Sequence, residues 1–130
     1  MTNTKLIADY QNRARGRRKA IQTLLNEKLY ADVVRECQEA AELVLKSFIR
    51  EAGHSIPFTH DVSSKLKEIA KDLSSKVQPH VDQLCSISKN LRRDRELSFY
   101  GSEDVTPSDF YEITHAVEAI RQLDELLALI

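Results

Sequence analysis

The sequence is poor in the residues that form turns, since its 130 residues include only three glycines and three prolines. A few long helices fit that composition better than many short strands, which need frequent turns. The chain also lacks a run of about 18 apolar residues, so it predicts no transmembrane helix. No apolar N-terminal segment precedes a small-residue cleavage site, and we therefore expect no secretory signal.

Ligand-binding and nucleophilic motifs are absent as well. The two cysteines, Cys37 and Cys85, have no partner at Cys-x-x-Cys or Cys/His spacing. We expect them to be reduced thiols, packed as small hydrophobic side chains in a cytoplasmic protein. The four histidines likewise have no His or Cys at ligand spacing, so neither a metal site nor a cofactor is expected. There is no Gly-rich phosphate loop, no Gly-x-Ser-x-Gly and no His-Glu-x-x-His.

Charge is unevenly distributed, although the net charge is only −1. Residues 1–20 hold six Lys and Arg against one acid, and residues 101–130 hold seven acids against one Arg. Two interpretations stay open: oppositely charged helices that pack side by side or across a dimer, or a basic face for a phosphate backbone. The first is favoured, because the arginines at positions 13, 15, 17 and 18 spread around a helix instead of forming one stripe.

Apolar residues recur at helical spacing along most of the chain and predict an all-α fold. The second predicted helix is the best defined, because its apolar stripe is unbroken until Gly53 stops it. The third is short and polar, and we expect Thr59 to cap it on the surface of the bundle. The predicted helices cover residues 4–28, 30–52, 60–75, 79–99 and 107–129.

The last helix begins at Thr106-Pro107, a capping residue followed by proline at the first helical position. Its apolar side includes Phe110, Ile113 and Val117 and is wide enough to serve a partner as well as the core. Together the elements predict one domain over residues 1–130, an up-and-down bundle of four long helices plus one short helix.

The fourth helix carries a cluster of arginines near its end. Leu84, Ser88 and Leu91 lie on one helical face, and Arg95 takes the next position on that face. A guanidinium on an apolar face is costly unless it is paired or reaches solvent. Arg95 therefore forms a structural ion pair, snorkels to solvent at the helix end, or lines an anion-binding cleft. Tyr100, at the same helix end, contacts a phosphate or base beside it, or packs on the bundle rim.

Several segments resemble the HEPN domains (higher eukaryotes and prokaryotes nucleotide-binding). They are Cys37-Gln38-Glu39-Ala40-Ala41-Glu42-Leu43-Val44-Leu45-Lys46, then Gly53, His60-Asp61-Val62, and Arg95 to Tyr100. The resemblance covers about residues 25–130 and implies a bundle of four to five helices. It further implies a homodimer, and active HEPN proteins are metal-independent ribonucleases, often toxins. Many are encoded beside a small nucleotidyltransferase antitoxin, which would here be a separate polypeptide.

The resemblance places the family's catalytic arginine at Arg95. The family has a histidine four to six residues further on, but this chain has Tyr100 there, and an ordinary tyrosine, with a pKa of about 10, is a poor general base. The resemblance thus implies a homodimeric module that binds a nucleotide or RNA phosphate in a toxin–antitoxin or defence system. Two alternatives stay open: a ribonuclease in which Tyr100 or His60 replaces the histidine, and a non-catalytic scaffold in which Arg95 pairs with a glutamate such as Glu42.

The predicted site consists of Arg95 and Tyr100 at the catalytic positions and Arg92, Arg93 and His60 as binding residues.

Overall fold

The computed structural model describes residues 4–59, 62–100 and 106–130, with the backbone alone described for residues 91 and 94–100. Within these ranges the chain is helical and contains no strand, which confirms the all-α bundle. Two short 3₁₀ turns, Ala70–Asp72 and Gln78–His80, connect the middle of the chain. The α-helices are α1 (Thr4–Asn26), α2 (Tyr30–Glu51), α3 (Ser63–Glu68), α4 (Val81–Tyr100), α5 (Pro107–Phe110) and α6 (Ile113–Leu127).

Helix α2 is the centre of the bundle, because α1, α4 and α6 all pack against it. Its apolar stripe is buried, as the sequence predicted, with Val33, Val44 and Ile49 fully inaccessible. The helix ends where expected: Gly53 adopts φ of +87°, a conformation that L side chains rarely take, and its N–H donates to the carbonyl of Arg50. The central helix therefore follows directly from the sequence pattern.

Helix α1 packs along α2 through Ile7, Ala14 and Ile21, which are buried. It ends two residues before the predicted position 28, because Lys28 takes a left-handed conformation with φ of 61°. Two arginines of α1 form ion pairs with the helices beside it. Arg17 pairs with Glu36 of α2, and Arg18 pairs with Asp124 of α6, each at 2.7 Å. The pair of Arg18 with Asp124 joins the basic and acidic ends of the chain, as the packing interpretation expects, whereas Arg17 pairs with a glutamate of α2.

The third helix is shorter than predicted and begins later. It runs over Ser63–Glu68 instead of residues 60–75, and Val62, not Thr59, occupies its N-cap position. The helix lies at the surface with its apolar side inward, since Val62 and Leu66 are fully buried whereas Ser64, Lys67 and Glu68 are exposed. Ser88 of α4 explains part of this anchoring, because its buried hydroxyl accepts the N–H of Val62 at 3.2 Å. A hydrogen bond between distant segments thus fixes the start of α3.

The last predicted helix is broken in two. Thr106 does cap it, accepting the N–H of Asp109 at 3.3 Å, but the first turn stops at Phe110. Tyr111 and Glu112 are extended, and a new helix, α6, begins at Ile113. The break places the ring of Tyr111 in the core, with only 3% of its surface exposed. Burying this large aromatic side chain favours the break over a continuous helix.

The break also changes which apolar residues face the core. Phe110, Ile113 and Val117 were predicted in the buried face, yet they are 41%, 53% and 52% exposed. The face of α6 that packs on α2 contains the predicted Ala116, Ile120, Leu123 and Leu126, together with Ala119.

Both cysteines are free and buried, as predicted from their spacing. Burial raises the pKa of the Cys37 thiol to about 12. The Cys85 thiol lies 3.5 Å from the carbonyl oxygen of Ser63 and helps to hold α3 against α4. The Cys37 thiol therefore lacks the thiolate character that a reactive cysteine needs.

Candidate anion-binding pocket

The predicted site residues fall at the C-terminal half of α4 or outside the described residues. Arg92 and Arg93 are exposed side chains of α4. Arg95 and Tyr100 belong to the same helix, but their side chains lie outside the described part of the structure, as does His60 altogether. Glu42, the suggested partner of Arg95, is 9% exposed and pairs with Lys46 at 3.1 Å, the i, i+4 spacing of its helix. Arg93 is the predicted residue for which the structure provides a defined environment.

Arg93 lines a pocket between α2, α4 and the segment that contains α6. The pocket has a volume of about 410 Å³, within the usual range of small-molecule sites. It brings together residues that are far apart in the sequence, so sequence periodicity alone does not reveal it. Its walls are formed by Val34, Asn90, Arg93, Tyr111, Thr114, His115, Glu118, Ala119 and Gln122.

Three aromatic rings are grouped at the break before α6. The rings of Phe110 and His115 are stacked, with centroids 5.5 Å apart and planes at 26°. Tyr111 meets His115 edge-on at 5.4 Å. Because Tyr111 is buried, this arrangement holds the imidazole in one orientation beside the pocket.

His115 has a defined hydrogen-bonding role. Its Nδ1 accepts the N–H of Glu112 at 3.0 Å, and the Glu112 side chain in turn caps the backbone of His115. An Nδ1 that accepts a hydrogen bond carries no proton, so in the neutral ring the proton is on Nε2. The helix cap therefore makes the other imidazole nitrogen a hydrogen-bond donor, and not the lone-pair acceptor that a general base needs.

The carboxylate in the pocket wall, that of Glu118, also accepts hydrogen bonds from neighbouring side chains. Glu118 accepts two hydrogen bonds from the guanidinium of Arg121, at 2.6 and 2.9 Å. These bonds lower the pKa of Glu118, which makes it a weaker proton acceptor than an ordinary glutamate. Gln122 donates its amide N–H to the same carboxylate at 3.4 Å, and its buried carbonyl oxygen has no partner among the described residues.

The pocket thus presents hydrogen-bond donors on its wall. A guanidinium and an imidazole N–H suit an anion such as a phosphate, and the hydrogen bonds from Arg121 make the carboxylate of Glu118 a weak proton acceptor. Sequence reasoning identified Arg93 but missed Tyr111, His115 and Gln122 as its neighbours. One signal for Gln122 was available, because it is a polar residue on the inward face of α6, whose other buried residues are all apolar.

Neither metal binding nor membrane insertion finds support in the described residues. No group of three or more His, Cys, Asp or Glu side chains lies close enough there to hold a metal ion. Likewise, none of the helices in residues 4–59, 62–100 and 106–130 is both long and apolar enough to cross a membrane.

Comparison with known proteins identifies the family. The model of the HEPN domain matches residues 7–127, almost the whole chain. The chain therefore belongs to the HEPN domain family, as the resemblance of its α2 and α4 segments indicated. No curated protein matches the chain, and no solved structure does.

Proposed function

We propose that this HEPN domain binds a nucleotide or an RNA phosphate through the arginine cluster of α4. Arg93 in its pocket carries the proposal, because the pocket joins a guanidinium to the Nε2–H of His115, two hydrogen-bond donors that suit a phosphate. Membership of a family with nucleotide- and RNA-related functions supports the same ligand class. Arg92, Arg95, Tyr100 and His60 complete the proposed cleft.

The proposed setting is that of a single HEPN domain over residues 1–130 in the cytoplasm, serving a toxin–antitoxin or defence system. A separate nucleotidyltransferase would then be its antitoxin. Two other functions remain as alternatives: a metal-independent ribonuclease in which Tyr100 or His60 takes the place of the motif histidine, and a non-catalytic scaffold in which Arg95 pairs with Glu42. The donor-rich pocket favours binding over cleavage.

One incubation separates binding from cleavage. Wild type and Arg95→Ala are each mixed with fluorescent single-stranded RNA in EDTA, anisotropy is followed, and the RNA is then run on a denaturing gel. We expect the wild type to bind intact RNA and Arg95→Ala to bind it at least about tenfold more weakly, since hydrogen bonds to charged groups contribute about 1.5–3 kcal/mol.

The other outcomes are equally informative. Cleavage by the wild type alone would make Arg95 catalytic and replace the proposal with the ribonuclease alternative. Equal binding by both proteins would contradict a role for Arg95 in the cleft. A loss of several kcal/mol in unfolding free energy for Arg95→Ala, with unchanged binding, would support the scaffold.

The same proposal includes a homodimer, for which α6 offers the surface. Phe110, Ile113 and Val117 form an exposed apolar patch at the start of α6, and such patches mark interaction sites. We expect wild type to sediment as a dimer at micromolar concentration and Val117→Asp to sediment as a monomer, because a buried unpaired carboxylate is costly. Ser86→Asp, at an exposed position of α4, adds the same charge and is the control. A monomeric wild type would contradict the homodimer.

A further inference from the structure

Helix α1 carries a continuous polar stripe on the side that faces away from α2. Its members follow one another at alternating steps of three and four residues, which places them on one helical face. All of them are exposed and none is acidic. At 1.5 Å per residue the stripe is about 30 Å long. It consists of Lys5, Ala8, Asn12, Arg15, Lys19, Gln22 and Asn26.

The cations of this stripe differ from the inward arginines of the same helix. Arg17 and Arg18 are held by carboxylates of α2 and α6. By contrast, Lys5, Arg15 and Lys19 have no carboxylate within ion-pair distance in the described part of the chain, and Arg15 makes only a 3.5 Å hydrogen bond to Asn12. The bundle therefore uses the inner charges for packing and leaves the outer ones available to a partner.

Gly16 lies beside the middle of the stripe, four residues after Asn12 and three before Lys19. A glycine inside a helix is unfavourable relative to alanine, yet a Cβ at this position would meet nothing within 4 Å. Packing within the chain therefore does not explain it. An exposed glycine lets a partner approach the helix backbone closely, and it does so here between side chains that donate hydrogen bonds.

We propose that this stripe binds the sugar–phosphate backbone of single-stranded RNA, as a second contact surface outside the pocket. The inference rests on the proposed RNA binding and extends it, since no residue of α1 lines the pocket. Lys, Arg, Asn and Gln are the side chains that contact phosphate and sugar without reading bases. The stripe is therefore a sequence-independent surface that lengthens the RNA footprint.

The composition of the stripe separates RNA from other anionic partners. Specific protein interfaces are anchored by Trp, Tyr and Arg in desolvated pockets, and the stripe has no aromatic residue, Ala8 being its one apolar member. A membrane surface likewise requires an apolar face beside the basic one, whereas the apolar face of α1 is packed on α2. The partner that fits is therefore a polyanion with regularly spaced charges, which needs no apolar anchor. Among such polyanions we choose RNA, because the family has RNA-related functions.

The test measures RNA affinity as a function of salt. The double variant Arg15→Gln/Lys19→Gln removes two phosphate contacts, and the control Lys67→Gln/Lys71→Gln removes the same charge from exposed positions after α2. A fluorescent 20-nucleotide RNA is titrated from 50 to 200 mM salt. We expect the stripe variant to lose roughly 10- to 30-fold in affinity at 0.1 M salt and to reduce the salt slope by about 1.4, whereas the control keeps the wild-type slope.

A second variant separates binding from folding. Gly16→Ala is expected to raise the Tm, because it improves helix propensity without a clash, and to weaken RNA binding, because it obstructs close approach. Wild-type slope and affinity in the stripe variant would overturn this inference while leaving the pocket proposal intact. Competition by poly-aspartate as strong as that by unlabelled RNA would overturn RNA as the occupant. Failure of wild type to bind any RNA would overturn this inference and the RNA form of the pocket proposal, whereas titration with AMP would test the nucleotide form separately.

Discussion

Arg93→Ala is expected to weaken nucleotide or RNA binding by roughly 10- to 150-fold, the equivalent of a charged hydrogen bond of about 1.5–3 kcal/mol. Arg93 is the cation of the 410 Å³ pocket. Removing its guanidinium leaves an anion in the pocket to donors such as the Nε2–H of His115 and the amide of Asn90. Isothermal titration with AMP and anisotropy with RNA would measure the loss.

Two further variants show whether geometry or charge is responsible. Arg93→Lys keeps the charge but loses the planar fork that binds two oxygens at once, so its affinity should lie between wild type and Arg93→Ala. Lys89→Ala makes the same change in net charge at an exposed position of α4 that does not line the pocket. If Lys89→Ala weakened binding as much as Arg93→Ala, general electrostatic attraction would explain the effect, and the pocket would not be the site.

Leu123→Ala is expected to lower the free energy of unfolding by about 2–5 kcal/mol, a large part of the 5–15 kcal/mol typical of a domain. Leu123 is completely buried where α6 packs on the central helix α2. Its loss removes apolar contacts and leaves a cavity that rigid helices fill only in part. Urea unfolding followed by far-UV circular dichroism would measure the change, at one fixed protein concentration.

Leu29→Ala provides the matched control, since the same atoms are removed from a side chain that is 45% exposed before α2. Its effect should stay within about 1 kcal/mol. Equal destabilisation by both substitutions would contradict the packing of α6 on α2 through Leu123. A smaller effect of Leu123→Ala than of Leu29→Ala would do so even more directly.

The helical pattern of α2 illustrates what the sequence predicts well. Its apolar stripe and the stop at Gly53 both depend on residues within a few positions of one another. Local spacing therefore contains the whole argument. The same is true of the cap at Thr106.

The last part of the chain shows what local sequence spacing does not predict. Helix α6 and the turn before it have more apolar residues than one face can bury, and periodicity does not say which of them will meet α2. The helix breaks because Tyr111 is buried and because Glu112 and His115 cap a new helix start. The break determines which apolar residues face α2, and it leaves Ile113 and Val117 exposed. For a similar reason α3 was misplaced, because its start depends on a hydrogen bond to Ser88 of another helix.

In the candidate site, too, some features follow from the sequence and others only from the tertiary structure. The sequence by itself determined the helical class, the arginine cluster that includes Arg93, and the opposite charges of the two ends, since each is a property of neighbouring residues. Only the tertiary structure decided that Arg93 shares a pocket with His115, and that Arg18 serves packing while Arg15 stays exposed. These outcomes depend on which helices lie side by side, and that depends on the total apolar surface buried by the bundle and not on the spacing within any one segment.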